Sequence, residues 1–522
     1  MHQSPGGHQL TGPIIPSEHG PRPSAYAASA LVAGVALILS LAAAGCRDRA
    51  PAAYRVAVDS MPAERVRVLE DHSAALPVWT AYGVRGRTVV HVDAHDDFRA
   101  ISGERLQPLR RAVESGDATA VAALRDDTSV GGAYNLGDYL YAAASSGIVE
   151  RIVWVVPADK GSGDEGRTAW RSWLTEQGYP ASDAATFETS GTAVTGTLLG
   201  VEVTIVPLTE FVAPPEPVLL DIDTDYFPPM LDAQGLTAAA DGPRRLLVEF
   251  GGRGLRTDLV TLAASVKGDY LPLQYKWLEQ VVVLGLIQPA VLSEPTPPAR
   301  WTYMGDALYA ERTGGDSMTP WFSAVQASPD EPAAWFGLGR AQVLSLSAKD
   351  GASSVDRAVA LDPSYAYGWL QLSRELGARG RHAEALELIP RAKGVVDAYY
   401  YDFAMADALY NARSYGEAAD AYRRITEAHE HPDAWMYLGD SLTASDRAVE
   451  ASAAYDHGLI ILRSATFRTL ADYPDSLIPL AQLAESRDDT STALRYYDTY
   501  LRVDPNGPDA KTAERRIEEL TP

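Results

Sequence analysis

From Pro51 to about Pro298 the chain alternates short, continuous runs of β-branched and apolar residues with segments long enough for helices. The runs Arg65 to Leu69, Arg87 to Val92, Ile152 to Val156, Val201 to Val206 and Val218 to Ile222 read as strands. They are apolar on both faces and separated by helix-length stretches, which predicts a mostly parallel sheet covered on each side. Ala213-Pro214-Pro215-Glu216-Pro217 reads as an internal loop, and Thr296-Pro297-Pro298 as a domain boundary.

Beyond that boundary the period changes. Trp301, Trp335, Trp369 and Phe403 are each 34 residues apart, Trp435 follows after 32, and Leu477 opens a last unit. Ala385, Ala419, Ala451 and Ala493 each fall 16 residues after their anchor, and Pro329, Pro363 and Pro505 each 28 after theirs. The small Ala lets two helices approach, the large anchor fills the gap between them, and Pro ends the second helix. A 34-residue period with these features resembles the tetratricopeptide repeat. The resemblance covers Trp301 to Pro505 as six imperfect repeats, with Asp509 to Leu520 as a polar capping helix. It implies an all-α solenoid whose concave face takes a protein or peptide partner.

The first 46 residues stand apart: Arg22 precedes an uncharged run from Ser24 to Gly45 that ends in Leu41-Ala42-Ala43-Ala44-Gly45-Cys46. That ending resembles the lipobox of bacterial lipoproteins and implies export, cleavage before Cys46 and lipid attachment to its thiol. A signal cleaved nearby and an uncleaved membrane anchor remain open, since the run is long enough to span. Cys46 is the only cysteine, so disulfides are excluded. With 522 residues, two domains are expected. The resulting division is a signal peptide over 1–45, a linker over 46–64, an α/β metal domain over 65–296 and the repeat array with its cap over 297–522. A formal charge of -24 argues against nucleic acid as a partner, because phosphate binding needs clustered Lys and Arg.

Three stretches of the α/β part carry acidic and imidazole side chains where strands should end: Glu70-Asp71-His72-Ser73, His91-Val92-Asp93-Ala94-His95-Asp96-Asp97 and Asp221-Ile222-Asp223-Thr224-Asp225. Open α/β sheets place their sites at such ends. Spacing by two turns Asp93, His95 and Asp97 to one side, and Asp221 with Asp223 likewise. Carboxylates converging on one crevice repel unless cations neutralise them, and an oxygen-rich set with imidazoles suits Mn²⁺ or a similar divalent ion. Structural caps and loop carboxylates explain any one of these motifs, but not their order.

The order His-Ser, Asp-Ala-His-x-Asp, Asp-x-Asp resembles the arginase, agmatinase and deacetylase superfamily, over Val66 to about Leu286. The resemblance implies a three-layer α/β fold and two divalent metal ions, Mn²⁺ in the family. It implies that His72, Asp93, Asp97 and Asp221 hold one ion, and Asp93, His95, Asp221 and Asp223 the other, with Asp93 and Asp221 bridging. The implied chemistry is hydrolysis of a C–N bond by activated water.

The chain departs from the family where Asn135-Leu136-Gly137-Asp138 stands in place of Asn-x-His-Gly, so the expected proton-shuttle histidine is absent. His91 and Asp138 are the candidate substitutes, with Tyr270, Glu249 and Glu279 behind them; the two glutamates read more simply as solvated helix charges. No counterpart of the acidic loop that takes guanidinium is recognisable. His429 and His431 read as a solvated pair between repeats. Two functions follow. One is a lipid-anchored, metal-dependent hydrolase of an amide or amidine on the periplasmic or cell-surface side, with repeats that bind a partner. The other is a catalytically silent metal-binding domain on a repeat scaffold.

Overall fold

The computed structural model describes residues 53–126, 132–157, 163–233, 235, 238–267, 270–293, 298–463 and 469–521. Cys46 and the apolar run before it lie outside the described residues, as does most of the expected domain boundary. Among the described residues no helix is long and apolar enough to cross a membrane.

The N-terminal part is built on a nine-stranded sheet. Its strands are β1 (Tyr54–Arg55), β2 (Val66–Leu69), β3 (Arg87–Val92), β4 (Val149–Val156), β5 (Glu188–Ser190), β6 (Ala193–Leu198), β7 (Val201–Pro207), β8 (Val218–Asp223) and β9 (Arg256–Ala263). The order is β1-β9-β8-β3-β4-β7-β6-β5, with β2 also pairing β9. The pairs β2·β9, β9·β8, β8·β3, β3·β4 and β4·β7 are parallel, whereas β6, β5 and β1 run antiparallel at the edges. Each of the five expected strands has a counterpart here, but β9 does not appear in the sequence reading. It is the strand that joins β2 to the rest. Tyr54 and Arg55, in the stretch expected as linker, pair with Thr257 and Arg256, and Val56 and Met61 beside them are buried.

Alternation along the central strands splits the core into two clusters, one per sheet face. Val90, Val92, Leu220, Ile222, Val260 and Leu262 face one cluster, and Val89, Ile152, Leu219 and Leu259 the other. Helices cover both, so the sheet is the middle of three layers.

The helical part follows the 34-residue period as six helix–turn–helix pairs, from Ala299–Thr313 with Met318–Ala327 to Pro474–Ser486 with Thr490–Val503, closed by Ala510–Leu520. Trp301, Trp369, Phe403 and Leu477 are buried anchors. Trp335 and Trp435 are only partly buried, and the fully buried positions are their neighbours Phe336 and Met436. Close helix contact is visible at Gly339, where an added Cβ would come within 2.9 Å of the Val355 nitrogen.

His431 is not solvated. It is fully buried, with Nδ1 accepting from the Asp433 N–H at 3.3 Å as the cap of helix Pro432–Ala444. Nor is Glu279 a solvated helix charge, since its side chain is 16% exposed and lies 3.4 Å from Lys276 Nζ.

The two parts share one core: Trp277, Leu278 and Leu286 belong to the same cluster as Trp301, Trp321 and Trp369. Polar contacts reinforce the junction, with Lys276 Nζ 3.2 Å from Asp362 and Arg312 3.2 Å from Asp232.

Candidate metal centre

Register brings the centre together. In β3, β8 and β9, His91 lies beside Asp221 and Asp221 beside Thr261. Because side chains alternate, the positions two residues on, Asp93 and Asp223, project from the same face at the carboxyl ends of their strands. Each of these carboxylates then turns the chain. Asp93 Oδ1 accepts the His95 N–H at 2.6 Å, and Asp223 Oδ1 the Asp225 N–H at 2.9 Å. His72 arrives from the end of β2, where Asp71 caps the short helix His72–Ala74 by accepting the Ser73 N–H at 2.9 Å.

His72, His91, Asp93, His95, Asp97, Asp221, Asp223 and Asp225 form four overlapping groups able to hold a metal ion: His72 with His91 and Asp221, His72 with Asp93 and Asp223, His91 with Asp93 and Asp97, and Asp93 with His95 and Asp225. The sequence-derived ligands His72, Asp93, His95, Asp97, Asp221 and Asp223 thus meet in space. His91 joins the ligand-capable set rather than standing behind it, and Asp225 is an addition the sequence reading passed over. Seven of the eight are buried, while the His95 side chain is 49% exposed and marks the opening. The Tyr270 ring stands edge-on to His95, with centroids 5.7 Å apart. Asp138 closes a capping box instead, its Oδ1 accepting the Asn135 N–H at 2.6 Å.

Tyr139 was not foreseen. It opens the helix after that capping box, donates its phenol hydrogen to Asp221 Oδ2 and stacks on His72 with centroids 5.5 Å apart. Two hydroxyls from the β9 side complete the surround: Thr261 donates to Asp221 Oδ1, and Ser265 Oγ to Asp223 Oδ2 at 2.6 Å. Asp97 and Ser265 both have left-handed backbones, with φ of 45° and 49°, a cost that local contacts must hold in place.

Charge at the centre is unbalanced. Burial opposes a proton on His72, yet Asp221 and Asp223 outweigh it and hold its pKa well above the ordinary imidazole value. Burial and then the Asp93 charge push Asp97 well up, and burial with Asp223 and Asp93 lifts Asp225 to about 8. Burial raises Asp93 and Asp221 too, but the facing histidines win and hold both well below the usual carboxylate range. Such a set draws in positive charge, which a divalent cation supplies in one step. The residues fit one: His72 Nε2, His91 Nε2, Asp93 Oδ2 and Asp225 Oδ1 are all buried without a hydrogen bond, an arrangement costly unless something else binds them.

No protein-family model and no curated protein matches the chain. Solved structures similar to it include Pseudomonas aeruginosa pilF, at 17% identity over 42% of this chain and 97% of that one with a TM-score of 0.30. They also include the C-terminal part of a TPR repeat-containing protein from Cytophaga hutchinsonii, at 15% over 41% and 88% with a TM-score of 0.31, and yeast Tom70, at 14% over 57% of each with a TM-score of 0.33. The tetratricopeptide character of the array rests on its own period and helix pairing.

Proposed function

We propose that the α/β domain is a metal-dependent hydrolase of a C–N bond, amide or amidine, and that the repeats bring it a protein or peptide partner. The observation that carries this reading is the meeting of three histidines and five aspartates at adjacent strand ends, with four of their buried polar atoms unbonded. Bound divalent ions supply Lewis-acid activation of water and of the scissile bond. The chain's own residues do the rest. Asp93 fixes the turn that carries His95 to the opening, where substrate enters. Tyr270, edge-on to His95, is the phenol we assign to protonating the leaving amine. Trp79, Tyr139 and His72, in ring contact and fully buried, keep bulk water out.

Titration calorimetry and metal analysis of the full chain with Mn²⁺ test the proposal, with Asp93→Ala as the control. Specific uptake that the variant loses, together with amine or ammonia release in a screen of amides and amidines, supports it; no uptake by the wild type sinks it. A second reading, a silent metal-binding domain on a repeat scaffold, is favoured by the missing shuttle histidine at Gly137. Uptake without turnover would select it. In both readings the lipobox-like Cys46 anchors the exported chain to a membrane, and Cys46→Ser should abolish labelling by a radioactive fatty acid.

A further inference from the structure

We infer that the first three repeats form a peptide groove whose ligand is the chain's own segment Leu273-Gln274-Tyr275-Lys276, so that a linear peptide offering leucine, carboxamide, phenol and ammonium in that order competes for it. This groove lies beyond the partner role proposed above, and it stands whether or not the α/β domain binds metal.

The segment is met by the first helix of a repeat pair, or by the turn that leads into one. Stacked repeats of this kind turn such a row inward, and the concave face is their binding surface. Gln371, on helix Gly368–Ala378 of the third repeat, accepts the Leu273 N–H on Oε1 at 2.9 Å and donates from Nε2 to Gln274 Oε1 at 2.8 Å. One side-chain amide thus takes a backbone N–H and a side-chain carbonyl of the segment, which fixes its register. Glu375 holds that amide in place, accepting from Gln371 Nε2 at 2.8 Å.

Glu375 is the end of a ladder across three repeats. Arg340 of the second repeat lies 2.7 Å from Glu375 and 2.8 Å from Glu311 of the first. Tyr275 stands beside this ladder: burial pushes its phenol up, Arg312 works against the rise and hydrogen-bonds the oxygen, and Glu311 adds to it. Lys276 completes the set, with Nζ 3.2 Å from Asp362 and 5.7 Å from the centre of the Tyr365 ring. Leu273 is buried in the core cluster that the two parts share. A single 3-10 turn, Leu273–Tyr275, does not hold its shape alone, so its order comes from the groove. Separate partners for successive side chains are how a groove specifies a linear sequence.

The ligand is also tied to the candidate centre. The Leu271 N–H donates to the Ser265 carbonyl at 2.9 Å, closing the loop that brings Ser265 Oγ to Asp223 and the Tyr270 ring to His95. A competitor that lifts Leu273 from Gln371 pulls on that loop, so a peptide in the groove is felt at the centre. Being tethered, the segment occupies the groove at an effective concentration of roughly millimolar, and a free peptide enters readily only when the tethered ligand is weakened.

Fluorescence anisotropy with the full chain and a labelled synthetic peptide running from Tyr270 to Trp277 tests this. Gln274→Ala combined with Lys276→Ala weakens the tethered ligand and should raise the affinity for the peptide about tenfold or more over wild type. Adding Gln371→Ala to that variant should remove the gain. Equal affinity in wild type and the double variant, or a gain that survives Gln371→Ala, would overturn the groove. Because the variants can fail to fold, hydrogen exchange on wild type decides independently. The segment should exchange as slowly as helix Gly368–Ala378, and should speed up in millimolar unlabelled peptide while that helix stays slow. Exchange at the rate of an exposed loop, or no acceleration by the peptide, would also overturn it.

Discussion

Gln371, in the third repeat, donates its side-chain amide to Gln274 Oε1 at 2.8 Å, while its own Oε1 accepts the Leu273 N–H at 2.9 Å. Both glutamines are buried, so the pairing fixes the segment that follows β9 against the repeats. The same segment reaches the candidate centre at its other end, through Ser265 on Asp223 and Tyr270 beside His95.

Gln371→Ala should leave a buried backbone N–H and the Gln274 amide short of partners, at a cost of about 1–3 kcal/mol. Thermal denaturation should show the lowered stability, and calorimetry a weaker Mn²⁺ affinity. An unchanged affinity would mean that the segment holds its place without the repeats.

Metal removal should destabilise the α/β domain. A cation that binds only the folded chain adds about 2.7 kcal/mol at a hundredfold excess over its Kd. Scanning calorimetry with Mn²⁺ and then with EDTA should show a transition that rises and falls with the ion, and Asp93→Ala should show neither shift.

The repeats carry their own pH dependence. Burial lifts Asp440 to about 7, against hydrogen bonds from Tyr455 at 2.7 Å and Ser476 at 2.8 Å, and lifts Asp407 to about 6. The folded carboxyl binds its proton more tightly than the unfolded one, so its stabilising effect is complete below the unfolded value of 3.8 and lost as pH rises through about 7. Denaturation of the EDTA-treated chain should therefore show a repeat transition that weakens over this window, with a flatter profile in Asp440→Asn.

Gly351→Ala should destabilise the second repeat. The helices Pro332–Ser345 and Ala348–Leu361 touch at Gly339 and Gly351, where an added Cβ would lie 2.8 Å from the Val343 nitrogen. Backbone cannot yield as a side-chain tip can, so a loss of about 1–3 kcal/mol in urea denaturation is expected.

The repeats were legible because a tetratricopeptide unit contacts mainly its neighbours in sequence, so the spacing of Trp301, Trp369 and Phe403 already encodes the packing. Spacing alone does not say which side chain fills the core, as at Trp335, on period, and Trp435, off it, whose neighbours Phe336 and Met436 fill the core instead. His431 was misread for a related reason: polarity was visible in the sequence, but its enclosure by Tyr399 and Phe403 of the preceding repeat was not.

By itself the sequence determined the kinds of side chain at the candidate centre and their strand-end positions, since a period of two is a local property. Only the tertiary structure decided which groups each of them meets. β9 escaped notice because Thr257, Asp258 and Thr261 make it look polar, yet each is satisfied from afar: Thr257 by the Val218 carbonyl, Asp258 by Arg87, and Thr261 by Asp221. With β9 in place Asp221 Oδ1 takes the Thr261 hydroxyl while its Oδ2 faces His91 Nδ1, contacts between residues 40 and 130 positions apart. Local pattern fixes which way a side chain points; what it meets there depends on strands and helices that chain distance hides.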